Sequence, residues 1–266
     1  MVRKWLQGVD VAHRSGTTGI SWIVRLGAGL VIASALVLLA APLGYRLDVL
    51  SLRLALQTFL RWGVYLAIGA AVVSLVGLII TLTRPKEARR GLLLPAISLV
   101  VALAVVAIPG RFLMGSSAPP IHDITTDPQD PPQYVAVLPL RTDAPNTTEY
   151  GGERVAAQQR DAYPDLQPAF LNVPPPQAFE RALAAVNEMG WALVDANAAA
   201  GRIEATDTTL WFGFKDDVVI RVRPTAGGSR VDVRSLSRVG VGDAGTNAKR
   251  VRAYLAMLRD EEPTAN

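Results

Sequence analysis

Residues 26–43 have the sequence LGAGLVIASALVLLAAPL, a stretch of 18 residues without a charged side chain. Two similar stretches follow it, 22 residues from Trp62 to Thr83 and 20 residues from Gly91 to Gly110. Because a helix rises about 1.5 Å per residue, roughly 17–25 apolar residues are needed to cross the hydrocarbon core of a bilayer. The sequence therefore predicts three transmembrane helices within residues 1–110.

The basic residues around these stretches predict how the chain is threaded through the membrane. Residues 1–25 contain four basic side chains, and the loop of residues 84–90 contains four basic side chains and one acidic one. The positive-inside rule places both segments in the cytoplasm. Three spans then place residues 111–266 on the opposite side. We therefore expect a multi-pass protein of the bacterial inner (cell) membrane with a periplasmic C-terminal domain.

The net charge differs between the two parts of the chain. Residues 1–110 contain 11 basic and 3 acidic residues (+8), whereas residues 111–266 contain 16 and 20 (−4). The sequence pI of about 9.6 thus reflects membrane topology, and it gives no reason to expect binding of nucleic acid. The chain has no cysteine, which excludes disulfides and thiolate chemistry and fits a bacterial envelope.

Proline and aspartate are concentrated in residues 111–175, for example in the sequence DPQDPP of residues 127–132. Proline has no N–H donor and biases the preceding residue toward extended backbone. We therefore interpret residues 111–175 as a Pro-rich spacer between the transmembrane region, residues 1–110, and a module in residues 176–260.

Regular patterns return in residues 176–260. Apolar residues at helical spacing lie between Pro176 and Gly190, and a second such pattern covers residues 246–259. Between the two helices lie four strand-like runs with short links: Trp191–Asp195, Arg202–Phe212, Val218–Arg223 and Arg230–Val239. Short links favour an antiparallel sheet with both helices on one face. The predicted fold class is α+β: three transmembrane helices, then a module of helix, four-stranded antiparallel sheet and helix.

Alternation along the predicted strands separates an apolar face from a charged one. Val218, Ile220, Val222, Val231 and Val233 are expected to face the helices, which leaves a charged ladder on the other face. Such a ladder is either a solvated face or a docking surface for a partner or an anionic ligand. The binding hypothesis assigns the contact to four arginines of this ladder, Arg221, Arg223, Arg230 and Arg234, and to a neighbouring aromatic residue, Trp211.

Residues 240–245, GVGDAG, match the glycine spacing of a dinucleotide-binding turn. A dinucleotide site also needs a second parallel strand with an acidic residue about 20 positions later, and the sequence has no room for that strand. We therefore predict no cofactor. The helix N-terminus after this turn is a possible anion site with Arg238, Lys249 and Arg250; the alternative is a helix capped by Asp243 or Thr246.

His122 and Asp123 are weak candidates for a metal site or for hydrolytic chemistry, with Asp207 as another carboxylate. A stable metal site usually needs three or more ligands in fixed geometry, which a Pro-rich chain supplies poorly. The alternative is that His122 and Asp123 tether the spacer to the module. We therefore predict neither a metal ion nor catalytic residues.

Several segments resemble the family of domain of unknown function 1499. They are the segments 121–127 (IHDITTD), 202–208 (RIEATDT), 212–221 (FGFKDDVVIR) and 230–235 (RVDVRS). The three apolar stretches are similar to the membrane part of some proteobacterial members. The order of helix, four strands and helix also looks like the helix-grip domains of the C lipoprotein of the outer-membrane β-barrel assembly machinery.

These resemblances imply a non-catalytic binding or assembly accessory module, held at the bilayer, with an envelope protein or a lipid headgroup as partner. Two other hypotheses remain open. One is an envelope hydrolase that uses His122 with Asp123 or Asp207. The other is a structural membrane organiser, a possible homo-oligomer in which the spans associate and the module only caps them.

Overall fold

A computed structural model describes residues 19–83, 91–113 and 118–260. The chain forms two compact units, Met1–Met114 and Gly115–Asn266. The first unit contains apolar helices, and the second contains an antiparallel sheet with helices packed on it.

The first unit contains the helices α1 (Gly19–Arg46), α2 (Leu52–Leu54), α3 (Arg61–Leu82) and α4 (Leu93–Leu113), with a π-helical segment at Ala55–Leu60. Small residues bring α1 and α3 together: the Ser34 hydroxyl donates a 2.8 Å hydrogen bond to the carbonyl oxygen of Gly63. A Cβ added to Gly27 would lie 2.8 Å from the hydroxyl oxygen of Ser74. Glycine at these positions therefore permits the close approach of the two helices.

Two helical segments of the described residues are long and apolar enough to cross a membrane, Trp22–Arg46 and Leu52–Leu82. The prediction of three transmembrane helices is therefore wrong. The third stretch was counted from Gly91, but the helix begins at Leu93 and its described apolar part, Leu93–Ala107, is shorter than 18 residues.

The described residues of the second unit form six strands rather than the predicted four: β1 (Asp123–Thr125), β2 (Ala169–Leu171), β3 (Ala192–Asn197), β4 (Arg202–Thr208), β5 (Lys215–Thr225) and β6 (Gly228–Ser237). The order is β1-β6-β5-β4-β3, with β2 also paired to β6, and all pairs are antiparallel. The strands β1 and β2 were missed because three residues are too few to show an alternation. The likeness in element order to the helix-grip domains stays a prediction.

Three helices accompany the sheet: α5 (Gly152–Ala162), α6 (Pro175–Glu188) and α7 (Thr246–Asp260). The helix α6 has Pro at its first turn and is followed by Gly190 with a φ of 70°, a conformation that glycine adopts at no steric cost. The helices α6 and α7 lie against one face of the sheet. As predicted, this face forms the core, with the following strand residues buried: Ile203, Ala205, Val218, Ile220, Val222, Val231 and Val233.

The opposite face of the sheet is also covered. Tyr134 and Val137, from the Pro-rich segment, pack on Val219 of β5 and Leu236 of β6. Residues 118–171 thus supply two strands and a covering layer to the unit Gly115–Asn266. Four charged residues of this second face are fully buried beneath that layer: Glu204, Asp217, Asp232 and Arg234.

Candidate functional site

The covered face of the sheet contains a set of buried charged side chains, which we call the polar layer: Asp123, Glu204, Asp217, Asp232 and Arg234. Each has at most 6% of its side chain exposed. Burial of an unpaired charge is very unfavourable, so each group needs partners that replace water. The Pro-rich segment supplies many of these partners.

Arg234 lies fully inside the polar layer. Its guanidinium donates to both carboxylate oxygens of Asp123 at 2.9 and 2.8 Å, and to the carbonyl oxygens of Pro132 and Thr148 at 3.1 and 2.7 Å. The rings of Tyr134 and Tyr150 lie 5.0 and 5.5 Å from its central carbon. Arg234 therefore has no exposed surface for a partner, and both carboxylate oxygens of Asp123 accept hydrogen bonds from it.

Glu204 holds the covering segment through its backbone. The buried carboxylate accepts hydrogen bonds from the amides of Val135, Ala136 and Val137 at 2.9, 3.0 and 2.9 Å. Arg202 lies beside it, with 2.8 Å between nitrogen and oxygen. Three consecutive amides around one carboxylate form a local anion site, and Glu204 itself fills it.

Asp217 accepts hydrogen bonds from two arginines and a hydroxyl. Arg238 binds both carboxylate oxygens at 2.8 Å, the Thr206 hydroxyl lies at 2.7 Å, and Arg141 is also paired with it. Burial opposes the charge of Asp217, but the hydrogen bonds from Arg238, Thr206 and Arg141 outweigh burial and lower the pKa of Asp217 below its ordinary value. Asp217 is therefore ionised at neutral pH.

At the margin of the polar layer lies the arginine row, which we define as Arg221, Arg223 and Arg230. All three guanidinium groups donate to Asp127 and to Asp232, at 2.6 to 3.3 Å. Arg221 and Arg223 also bind the exposed Asp130 at 3.1 and 2.9 Å. The row is half-buried and carries three positive charges against three negative ones.

At the start of α7, two arginines of the predicted anion site pair with different carboxylates. Arg238 pairs with Asp217, while Arg250 pairs with Asp216 at 2.6 Å and Asp207 at 2.7 Å. Burial raises the pKa of Asp216 although Arg250 opposes this effect. The carboxylate of Asp243 accepts from the amides of Gly245 and Asn247, so it caps the helix.

Of the three predicted anion-site residues, Lys249 alone is exposed. The structure therefore does not bring Arg238, Lys249 and Arg250 together around one position. An anion at the start of α7 would also meet the carboxylate of Asp243.

The side chains of His122 and Asp123 point in different directions. A ring nitrogen of His122, Nδ1, lies 3.1 Å from the carbonyl oxygen of Val241, whereas Asp123 binds Arg234 in the polar layer. The two residues therefore do not form a dyad. Among the described residues there is no group of three or more potential metal-ligating side chains.

Trp211 lies in the loop of residues 209–214 between β4 and β5, and 60% of its surface is exposed. The rings of Phe212 and Phe214 stack in the same loop, 5.0 Å apart. Gly213 has a φ of 67°, which allows the tight turn between the two rings.

Sequence reasoning missed three residues at this site: Asp127, Asp130 and Phe170. The two aspartates complete the arginine row, and Phe170 lies beside it on β2 with 64% of its surface exposed. The signal in the sequence was weak, because it consisted of two aspartates in the Pro-rich segment and an excess of arginine in the strands.

Comparison with known proteins identifies the family of this chain. A family model described as a protein of unknown function (DUF1499) matches residues 123–258. No curated protein matches the sequence. The matched segment begins at Asp123, so it includes both the covering segment and the sheet. The chain belongs to the DUF1499 family.

Proposed function

We propose that this protein is a membrane-anchored binding module of the bacterial cell envelope. Two helical segments long and apolar enough to span a membrane support the anchoring. The main observation in favour of binding is an exposed phenylalanine beside a half-buried row of arginines whose charge is balanced by aspartates. In this proposal the module acts by binding a protein partner and performs no catalysis.

Phe170 is the centre of the proposed contact. Its neighbours Ala169 and Leu171 point into the core, so Phe170 points outward. It lies directly opposite Arg230, which in turn lies opposite Arg223 on β5. Protein interfaces are enriched in aromatic residues and arginine, and hot spots often contain them. The row Phe170–Arg230–Arg223 matches this composition.

The charge balance of the arginine row favours a protein over an anionic ligand. Each arginine already donates to Asp127 and Asp232, so a phosphate or lipid headgroup would compete with fixed carboxylates. A protein surface can use the exposed Asp130 and the outer parts of the guanidinium groups together. The neutral row then contributes orientation and specificity more than attraction at long range.

The first prediction concerns Phe170. A photo-crosslinking amino acid in place of Phe170 is expected to give a discrete protein adduct of the full-length chain in cells. The same amino acid in place of Leu193, an exposed apolar residue on the edge strand β3, is the matched control. Denaturing gel electrophoresis followed by mass spectrometry detects the adducts. Equal adducts at both positions, or none at position 170, contradict the assignment of this surface.

The second prediction concerns the predicted periplasmic location of the module. Three spans led to it, whereas two spans would return the module to the side of residues 1–25, so labelling of an exposed position decides between the two locations. Because the chain contains no cysteine, Ala226→Cys places one reactive thiol in the exposed turn between β5 and β6. A membrane-impermeant maleimide is expected to label this variant in intact spheroplasts. Labelling only after lysis contradicts a periplasmic module. The variant Val49→Cys, in the exposed loop between α1 and α2, is labelled in parallel as a reference.

A further inference from the structure

Four segments meet at one end of the sheet, which we call the entry end: residues 118–122, 140–146, 208–215 and 238–245. The amide of Arg238 donates to the carbonyl oxygen of Lys215 at 3.0 Å. Asn146 donates to the carbonyl oxygen of Gly240 at 2.9 Å, and His122 contacts Val241. These contacts join the four segments into one surface.

The entry end exposes large apolar side chains at its loop tips. Leu210 is 84% exposed, Val241 79% and Trp211 60%, and Leu140 is also exposed. Hydrogen bonds hold the loop backbones in place: in one loop the Thr209 amide donates to the carbonyl oxygen of Phe214 at 2.9 Å. Several large apolar residues on neighbouring tips usually mark an interaction site.

The far end of the sheet has a different composition. Its turns are residues 198–201, AAAG, and residues 225–228, TAGG. These exposed turns contain only small or weakly polar residues. Among these loops, the exposed large apolar side chains are therefore concentrated at the entry end.

The chain also enters the module at the apolar end. Ala118 is the first described residue of the module, and only residues 114–117 separate it from Leu113 at the end of the apolar helix α4. The module therefore follows an apolar helix in the sequence after only four residues.

From these observations we propose that the entry end docks on the phospholipid bilayer, with Leu210, Trp211 and Val241 inserted at the level of the headgroups. Tryptophan is enriched at this level because its ring is apolar and its N–H can bind water or headgroups. The exposed Lys215 and Lys249 lie next to these loops in sequence and complement anionic lipid.

This inference concerns a different surface from that of the proposed function. Phe170 pairs with Arg230 near the far end of β6, away from Ser237 at the entry end. A bilayer at the entry end would therefore leave the arginine row accessible to a partner. The two surfaces can fail independently, because their tests use different residues.

The test uses full-length protein with single spin labels, reconstituted in vesicles of phosphatidylethanolamine and phosphatidylglycerol. Cysteine replaces Leu210 or Val241 at the entry end, and Ala199 or Ala226 at the far end as matched controls. Electron paramagnetic resonance compares collisions of each label with oxygen, which enriches in the bilayer, and with a nickel chelate, which stays in water. We expect oxygen to dominate at 210 and 241, and nickel to dominate at 199 and 226.

Three outcomes overturn the bilayer proposal. Nickel dominates at 210 and 241 if the tips stand in water. Neither probe reaches them if a protein or a second copy of the chain covers the tips. Oxygen dominates at all four positions if the module has no preferred end. In a second experiment, we expect Trp211→Asp to increase collisions of the label at 241 with the nickel chelate, while hydrogen exchange of the β5 amides stays unchanged.

Discussion

Asp123→Asn is expected to lower the free energy of unfolding of the module by about 3–5 kcal/mol, because it leaves the buried charge of Arg234 without its carboxylate. The pair connects β1 to β6 in the interior, and both of its side chains are nearly inaccessible. Hydrogen exchange of the β6 amides in the full-length protein in detergent micelles measures the loss. Each tenfold increase in exchange rate corresponds to about 1.4 kcal/mol.

The matched control is Asp165→Asn, which also removes a carboxylate from an arginine. Arg252 binds Asp165, but both side chains are substantially exposed. Exposed ion pairs contribute about 0–1 kcal/mol, so this variant should exchange almost as slowly as the wild type. If both variants lose a similar free energy of unfolding, burial does not explain the large effect expected for Asp123→Asn.

Asp217→Asn is expected to destabilise the module at neutral pH by about 3–5 kcal/mol, since Arg141 and Arg238 lose their shared carboxylate. It should also change the pH dependence of stability. Folding lowers the pKa of Asp217, so the folded state favours the ionised form. This contribution is fully present above the ordinary pKa of about 4 and is lost as the pH falls through the lower folded pKa. Urea unfolding at several acidic pH values should therefore show a weaker acid destabilisation in the variant.

Asp216→Asn is the control for the sign of this effect, because burial raises the pKa of Asp216. Its contribution is present below the ordinary pKa and is lost as the pH rises through the folded pKa. Removing it should therefore make the acid destabilisation steeper, opposite to Asp217→Asn. Changes of the same sign in both variants would contradict the two assigned shifts.

The apolar side of the module was visible in the sequence. Val218, Ile220 and Val222 alternate with polar residues, and both packed helices have clear periodicity and end signals. Such patterns are local, so a single chain is enough to recognise them. The structure confirms these strand residues as core.

The covered face was not predictable in the same way. Alternation puts Arg221 and Arg234 on one face, but it cannot say that Arg234 is fully buried and Arg221 partly exposed. That difference comes from Asp123, Asp127 and the chain around them, about a hundred residues earlier in the sequence. Proline predicted an irregular backbone there, which is consistent with packing on the sheet as well as with a free linker.

The position of β1 in the sheet also orders the events of synthesis. The Asp123 strand leaves the ribosome first, yet its pairing partner Arg234 follows 111 residues later. At typical rates of about 5–20 residues per second, the wait is roughly 5–20 s. During that time Asp123 and the covering segment have no sheet to cover. The beginning of the module therefore cannot complete its fold before β6 has been made, and long-range pairing of this kind slows folding.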